Sequence, residues 1–171
     1  MNDRLVEQHG IISGPIKLLN KTNFPFQPLY ATNVLLFKTA QMENQILYYK
    51  NKLKYEIDSW DLSERMKINK NIIVIDVRSE VAYETEHIPG ALNIPHRNIN
   101  VDSTKHLDKQ STYITYCDGI GCNASTKGAL NLTKLGFCVK ELLGGLDWWK
   151  RDGYKTKGTK ATPEKGIACG C

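Results

Sequence analysis

The stretch Thr112–Gly128, TYITYCDGIGCNASTKG, changes character twice along its length. Thr112 to Tyr116 is β-branched and aromatic, the composition of a buried strand. Cys117 to Asn123 is a loop with two cysteines and two glycines. Beyond it Ala129, Leu132 and Leu135 fall at helical spacing, and Gly136 is placed to stop the helix. A strand that runs through a glycine-bearing loop into a helix is the unit of a parallel sheet.

The flanking sequence repeats that alternation. Tyr55-Glu56-Ile57 reads as a short strand, with Asp58 or Ser59 capping a helix to about Met66. Ile72 to Val77 is a continuous apolar run carrying one acid, Asp76, as expected of a strand covered on both faces. A short helix follows from Ser79 to Thr85, then a turn at His87-Ile88-Pro89-Gly90 and a strand at Ala91–Ile94. Val139 to Leu142 is the next strand, and Gly144-Gly145 opens a last helix with Trp148 and Trp149. The fold class is therefore α/β, a mainly parallel central sheet with helices on both faces.

Outside that core, residues 1–38 contain Gly10, Gly14-Pro15, Phe24-Pro25-Phe26 and Pro28, and read as a loop-like or partly disordered extension. Met42 opens a more regular stretch, so it is an alternative start. Residues 39–54 place Met42, Ile46, Tyr49 and Leu53 on one helical face with lysines between, an amphipathic helix expected to pack on the domain. The compact domain spans 55–157. Residues 158–171 read as a polar mobile tail ending Cys169-Gly170-Cys171.

A net charge of +5, scattered rather than clustered, argues against a nucleic-acid partner. No apolar run reaches the ~18 residues of a membrane span, and no signal pattern opens the chain, so a cytoplasmic protein is expected. Five cysteines fit a disulfide framework poorly and suit reduced, reactive thiols. The sequence sets no oligomeric state.

Cys117 lies where a parallel sheet collects ligands, beyond the carboxyl end of a strand. The backbone of Asp118, Gly119, Ile120, Gly121, Cys122 and Asn123 offers N–H groups for an anion cradle, and the next helix adds its positive end. Such a cradle favours a thiolate and predicts a Cys117 pKa below about 8.5. Gly119 and Gly121 would supply unusual backbone angles, and Ala124 and Gly128 a close helix–sheet approach. The plainer alternative makes Cys117 a small buried hydrophobe. Cys122 stays open between a resolving thiol, a loop thiol without a role, and half of a metal pair. With no histidine nearby a four-ligand zinc site does not assemble, so no metal or cofactor is expected. Cys138 is expected in the core.

From Tyr55 to Tyr154 the chain resembles the rhodanese (sulfurtransferase) family. Ile75-Asp76-Val77-Arg78 with Tyr83 and His87 to Pro95 is similar to that family's first signature. Tyr116-Cys117 begins what resembles its active-site loop. Gly136-Phe137, Leu143-Gly144-Gly145, Trp149 and Gly153-Tyr154 resemble its C-terminal signature. The resemblance implies a Cys117 persulfide that carries sulfane sulfur from a donor, thiosulfate or another persulfide, to a thiophilic acceptor. It implies structural roles for Asp76, Arg78 and His87.

The loop departs from the family pattern. It is longer by a few residues and lacks the arginine with which phosphatases of this fold clamp phosphate, so phosphatase activity is not expected. An inward Asp118 carboxylate would repel a dianion such as thiosulfate, which brings protein or small-molecule persulfides forward as donors. Two other functions compete with sulfur transfer. One is a thiol-redox protein pairing Cys117 with Cys122, Cys169 or Cys171. The other is a non-catalytic interaction module that uses the extension as its contact.

Overall fold

The computed structural model describes residues 28–68 and 71–165, with side chains from residue 36. Residues 1–27 of the expected extension, and Cys169 and Cys171, lie outside the described residues. The chain divides into two compact units, Met1–Gln41 and Met42–Cys171, and the second holds the sheet.

Five parallel strands make one sheet in the order β1-β5-β4-β2-β3. They are β1 (Glu56–Ile57), β2 (Ile72–Asp76), β3 (Leu92–Asn93), β4 (Thr112–Tyr116) and β5 (Cys138–Leu142). The apolar runs read from the sequence are the central strands β2 and β4, which pair along their whole length from Ile72 with Thr112 to Asp76 with Tyr116. Between the strands lie α2 (Ser59–Ile68), α3 (Glu80–Thr85), α4 (Val101–Thr104) and α5 (Ala124–Lys134), and α6 (Gly145–Arg151) follows β5. Asp58 caps α2 by accepting the Asp61 N–H at 2.8 Å, and Ser79 caps α3.

Period-two alternation along β4 builds two cores. Ile114 and Tyr116 pack with Leu62 of α2 and Leu146 and Trp149 of α6. Tyr113 and Cys117 pack on the other face with Ala124 and Leu132 of α5. Helices therefore cover both faces, as the sequence predicts. Gly128 brings α5 onto β2 so closely that a Cβ there would lie 2.6 Å from Val77 Cγ1.

Four expectations are corrected. The helix expected from 39 is α1 (Pro28–Tyr55), so residues 28–38 are helical rather than loop. Pro28 stands at the first helical position, where its missing N–H has no partner to lose. Met42, Ile46, Tyr49 and Leu53 are not buried; all four are exposed, although Tyr49 and Leu53 line a groove beside Ile57 and Leu143. Cys138 is exposed as well, because it opens β5 and its neighbour Val139 takes the inward position. The domain also does not stop at 157. The Thr159 and Lys160 amides donate to the Glu84 and Thr85 carbonyls at 3.0 and 2.9 Å, and the Lys165 amide donates to Gly153 at 2.8 Å. Glu86 anchors this segment by accepting from the Thr156 and Thr162 hydroxyls at 2.8 and 2.6 Å and from Lys150 Nζ at 2.7 Å.

Candidate active site

Alternation along β4 turns Cys117 toward the start of α5, and only 1% of it is exposed. Its Sγ lies 3.0 Å from the Cys122 carbonyl, 3.3 Å from Ser125 Oγ and 3.7 Å from the Gly119 carbonyl. A sulfur facing two carbonyls is a thiol donating its proton. The expected ring of inward loop N–H groups is thus not what surrounds it. Burial pushes the Cys117 thiol up from its ordinary pKa; the Ser125 hydroxyl and amide oppose this, and the neighbouring Cys122 thiol adds to it. The expected depressed pKa is corrected accordingly. Desolvation outweighs the Ser125 groups at the start of α5.

The loop's backbone is held by α6. The Leu146 and Asp147 amides donate to the Cys117 and Asp118 carbonyls at 2.9 and 2.8 Å. Gly144 and Gly145 turn into α6 with φ of 69° and 55°. A Cβ on Gly145 would lie 2.4 Å from the Cys117 carbonyl oxygen. The left-handed angles expected at Gly119 and Gly121 fall here instead, at the glycine pair that receives the loop. Gly119 closes a tight turn by accepting the Cys122 amide at 3.0 Å, and a Cβ there would lie 3.3 Å from Asp147 Cβ.

The rest of the expected cradle is spread around the loop. Ile120 is exposed, Cys122 packs partly into the α5-side core, and Asn123 precedes α5 without a side-chain cap bond. Asp118 points away from the sulfur, onto Arg78 Nη1 at 2.8 Å. Arg78 also grips Asp76, through Nη2 at 2.6 Å and Nε at 2.9 Å, and donates to the Glu86 carbonyl at 2.6 Å. Burial disfavours its charge, but the hydrogen bonds to Asp76 and Asp118 win and raise its pKa. Asp76 and Arg78 thereby tie the ends of β2 and β4 to the turn after α3. His87 stacks on Tyr83 with centroids 3.8 Å apart and pairs in a bridge with Lys157.

Three side chains that sequence reasoning missed, Ser125, Thr126 and Glu141, complete the environment. Ser125 Oγ donates to Glu141 Oε1 at 2.6 Å, and Thr126 Oγ1 donates to the same oxygen at 2.9 Å. Glu141 could have been found from alternation along β5, since Val139 two residues earlier faces the α5-side core. Open clefts of about 390 and 510 Å³ flank Asp118. One is lined by Arg78, Glu86 and Lys150, the other by Ile120, Cys122, Trp148 and Arg151. Among the described residues no cluster of three or more metal-ligating side chains forms.

The chain belongs to the rhodanese-like domain family, whose model matches residues 59–152. It is similar to the thiosulfate sulfurtransferase GlpE of Coxiella burnetii, 33% identical over 55% of this chain and 82% of that protein. It is also similar to the tRNA sulfurtransferase of Thermoplasma acidophilum, 41% identical over 38% of this chain but only 12% of that much longer protein. Among solved structures the BH2092 protein of Bacillus halodurans is 44% identical, with a TM-score of 0.67 over 70% of this chain and 88% of that one.

Proposed function

We propose that the protein is a sulfurtransferase that carries sulfane sulfur as a persulfide on Cys117. The observation that carries the reading is the placement of that thiol, at the end of the central strand β4 and against the start of α5, in a chain whose relatives are named sulfurtransferases. The Cys117 thiolate attacks the outer sulfur of a donor persulfide, the donor's S–S bond breaks, and the donor leaves as a thiolate. With thiosulfate the leaving group is sulfite. An acceptor thiolate then takes the outer sulfur and Cys117 leaves as thiolate, a ping-pong cycle. The partners are a sulfur donor and a sulfur acceptor. Treatment with donor adds about 32 Da, one sulfur, to the peptide bearing Cys117. The adduct is absent from Cys117→Ser, and turnover that survives this substitution overturns the reading.

A second reading has its own observation. Cys122 presents both its carbonyl and its thiol to the Cys117 sulfur, so it is placed to resolve an oxidised Cys117. Peroxide oxidises the Cys117 thiolate to sulfenic acid, and the Cys122 thiol displaces water to leave a disulfide. Its absence after stoichiometric peroxide, shown by peptide mapping, removes this reading.

A further inference from the structure

A serine hydroxyl holds one proton, and Ser125 has two claimants for it. On one side is Glu141, whose Oε1 sits 2.6 Å from Ser125 Oγ. On the other is the Cys117 sulfur at 3.3 Å. A charge-assisted bond to a carboxylate outweighs one to a neutral thiol, and the shorter distance agrees. The hydroxyl therefore turns a lone pair toward Cys117, which suits a thiol that donates and fails a thiolate that must accept. Ser125 is buried, with 4% exposed, so water does not stand in for the hydroxyl, and the Ser125 amide is left to serve the sulfur from that side.

We infer that Glu141 is a positioning residue that withholds the Ser125 proton from Cys117 and so keeps the resting thiol protonated. Thr126, bound to the same carboxylate oxygen at 2.9 Å, helps keep Glu141 facing Ser125. The arrangement suits one state of the reaction cycle in particular. In a persulfide the charge sits on the outer sulfur, and the inner sulfur needs no donor. In the free enzyme the inner sulfur carries the charge and does need one. Glu141 thus biases the site toward its loaded form.

The other titratable groups around the sulfur are accounted for. Cys122 lies on the loop itself. Asp118 is bound by Arg78 of the β2–α3 connection, and Asp147 of α6 by Arg151 at 2.9 Å. Glu141 is itself flanked by Glu56, its partner on β1, and Glu56 is held by Lys52.

The test is the pH dependence of Cys117 alkylation by iodoacetamide, read by mass spectrometry on the peptide that contains Cys117. No sulfur donor is present, so the result stands or falls apart from the sulfur-transfer reading, though both rest on Cys117 as the reactive thiol. Glu141→Gln keeps the shape of the side chain but replaces the charged acceptor with a neutral amide, which loosens its hold on the Ser125 proton. It should lower the midpoint and raise the rate at pH 7 about tenfold, the worth of one hydrogen bond to a charged sulfur. Ser125→Ala should not raise the midpoint, because the hydroxyl already gives its proton to Glu141. Glu141→Gln added to Ser125→Ala should then change nothing further. A midpoint unmoved by Glu141→Gln overturns the inference. So does an equal shift with and without Ser125, which would mean simple charge repulsion across space. Matching thermal melts of wild type and Glu141→Gln establish that the shift is not loss of fold, and alkylation of Glu141→Ala checks the direction independently.

Discussion

Replacing Gly145 with alanine should damage the nucleophile from a distance, because α6 approaches the Cys117 peptide with no room for a side chain. The new Cβ would sit 2.4 Å from the Cys117 carbonyl oxygen and 3.1 Å from both the Cys117 carbonyl carbon and the Gly119 nitrogen. These are backbone atoms, so no side chain swings aside to relieve the contact. An ordinary carbon–oxygen contact needs about 0.8–1 Å more. A φ of 55° adds about 1 kcal/mol for a residue that carries a Cβ. Separating α6 from the loop also loosens the bonds from Leu146 and Asp147 to Cys117 and Asp118, at about 1 kcal/mol each. The sum is about 3 kcal/mol of stability, measured by urea denaturation. Displacement of the reacting atom by about 1 Å should also cost about a hundredfold in turnover. Destabilisation below about 1 kcal/mol with unchanged Cys117 reactivity would refute the reasoning, since the clash would then have been absorbed without moving the loop.

Arg78→Ala leaves Asp76, which is fully buried, without its guanidinium partner, and should cost about 3–5 kcal/mol in denaturant unfolding. Glu86 has a lowered pKa because its bonds from Lys150, Thr162 and Thr156 outweigh the burial that would raise it. Its stabilisation is therefore full above the ordinary value of 4.5 and is lost as pH falls through the lowered folded value. The stability gap between wild type and Glu86→Gln should be widest near neutrality and close in acid, as followed by thermal melts across pH. Asp118→Asn releases Arg78 Nη1 while Asp76 keeps the rest of the guanidinium. It should raise kcat/KM for thiosulfate, relative to a persulfide donor, by about two- to fivefold, the worth of one exposed charge. The gain should fade in high salt.

The parts of the fold legible in the sequence are those whose stability comes from local pattern. β2 and β4 announce themselves because strands buried on both faces draw on β-branched and aromatic side chains, and α5 because one of its faces is apolar. The residues 96–104 were not legible in the same way. Their short 3-10 turn (His96–Asn98) and α4 are too brief to show a period. They are held by a box in which Asn100 Oδ1 accepts the Ser103 amide and Ser103 Oγ accepts the Asn100 amide, at 2.9 and 3.0 Å. The placement of Cys117 at the end of a central strand was legible because it is topological. Its protonation was not, because that depends on which loop peptides turn carbonyls toward it and on Glu141, which reaches the site from another strand.

Asp118 shows how far pairing changes the meaning of a charge. On the sequence it is a carboxylate next to a nucleophile and an obstacle to a dianion. In the fold it is one member of a set of closed pairs. Arg78 binds Asp118, Arg151 binds Asp147 and Lys150 binds Glu86, and these residues line the two clefts beside the loop. Arg78 is also shared with the buried Asp76, so three cations face four anions and leave no surplus of positive charge to gather a dianionic donor. On the proposed reading, selectivity between thiosulfate and a persulfide then arises close to the sulfur, where the Ser125 proton is committed to Glu141 and the loop presents the Gly119 and Cys122 carbonyls. That places the weight of donor choice on the short contact between Ser125 and Glu141 and takes it off the residue that first drew attention to the question.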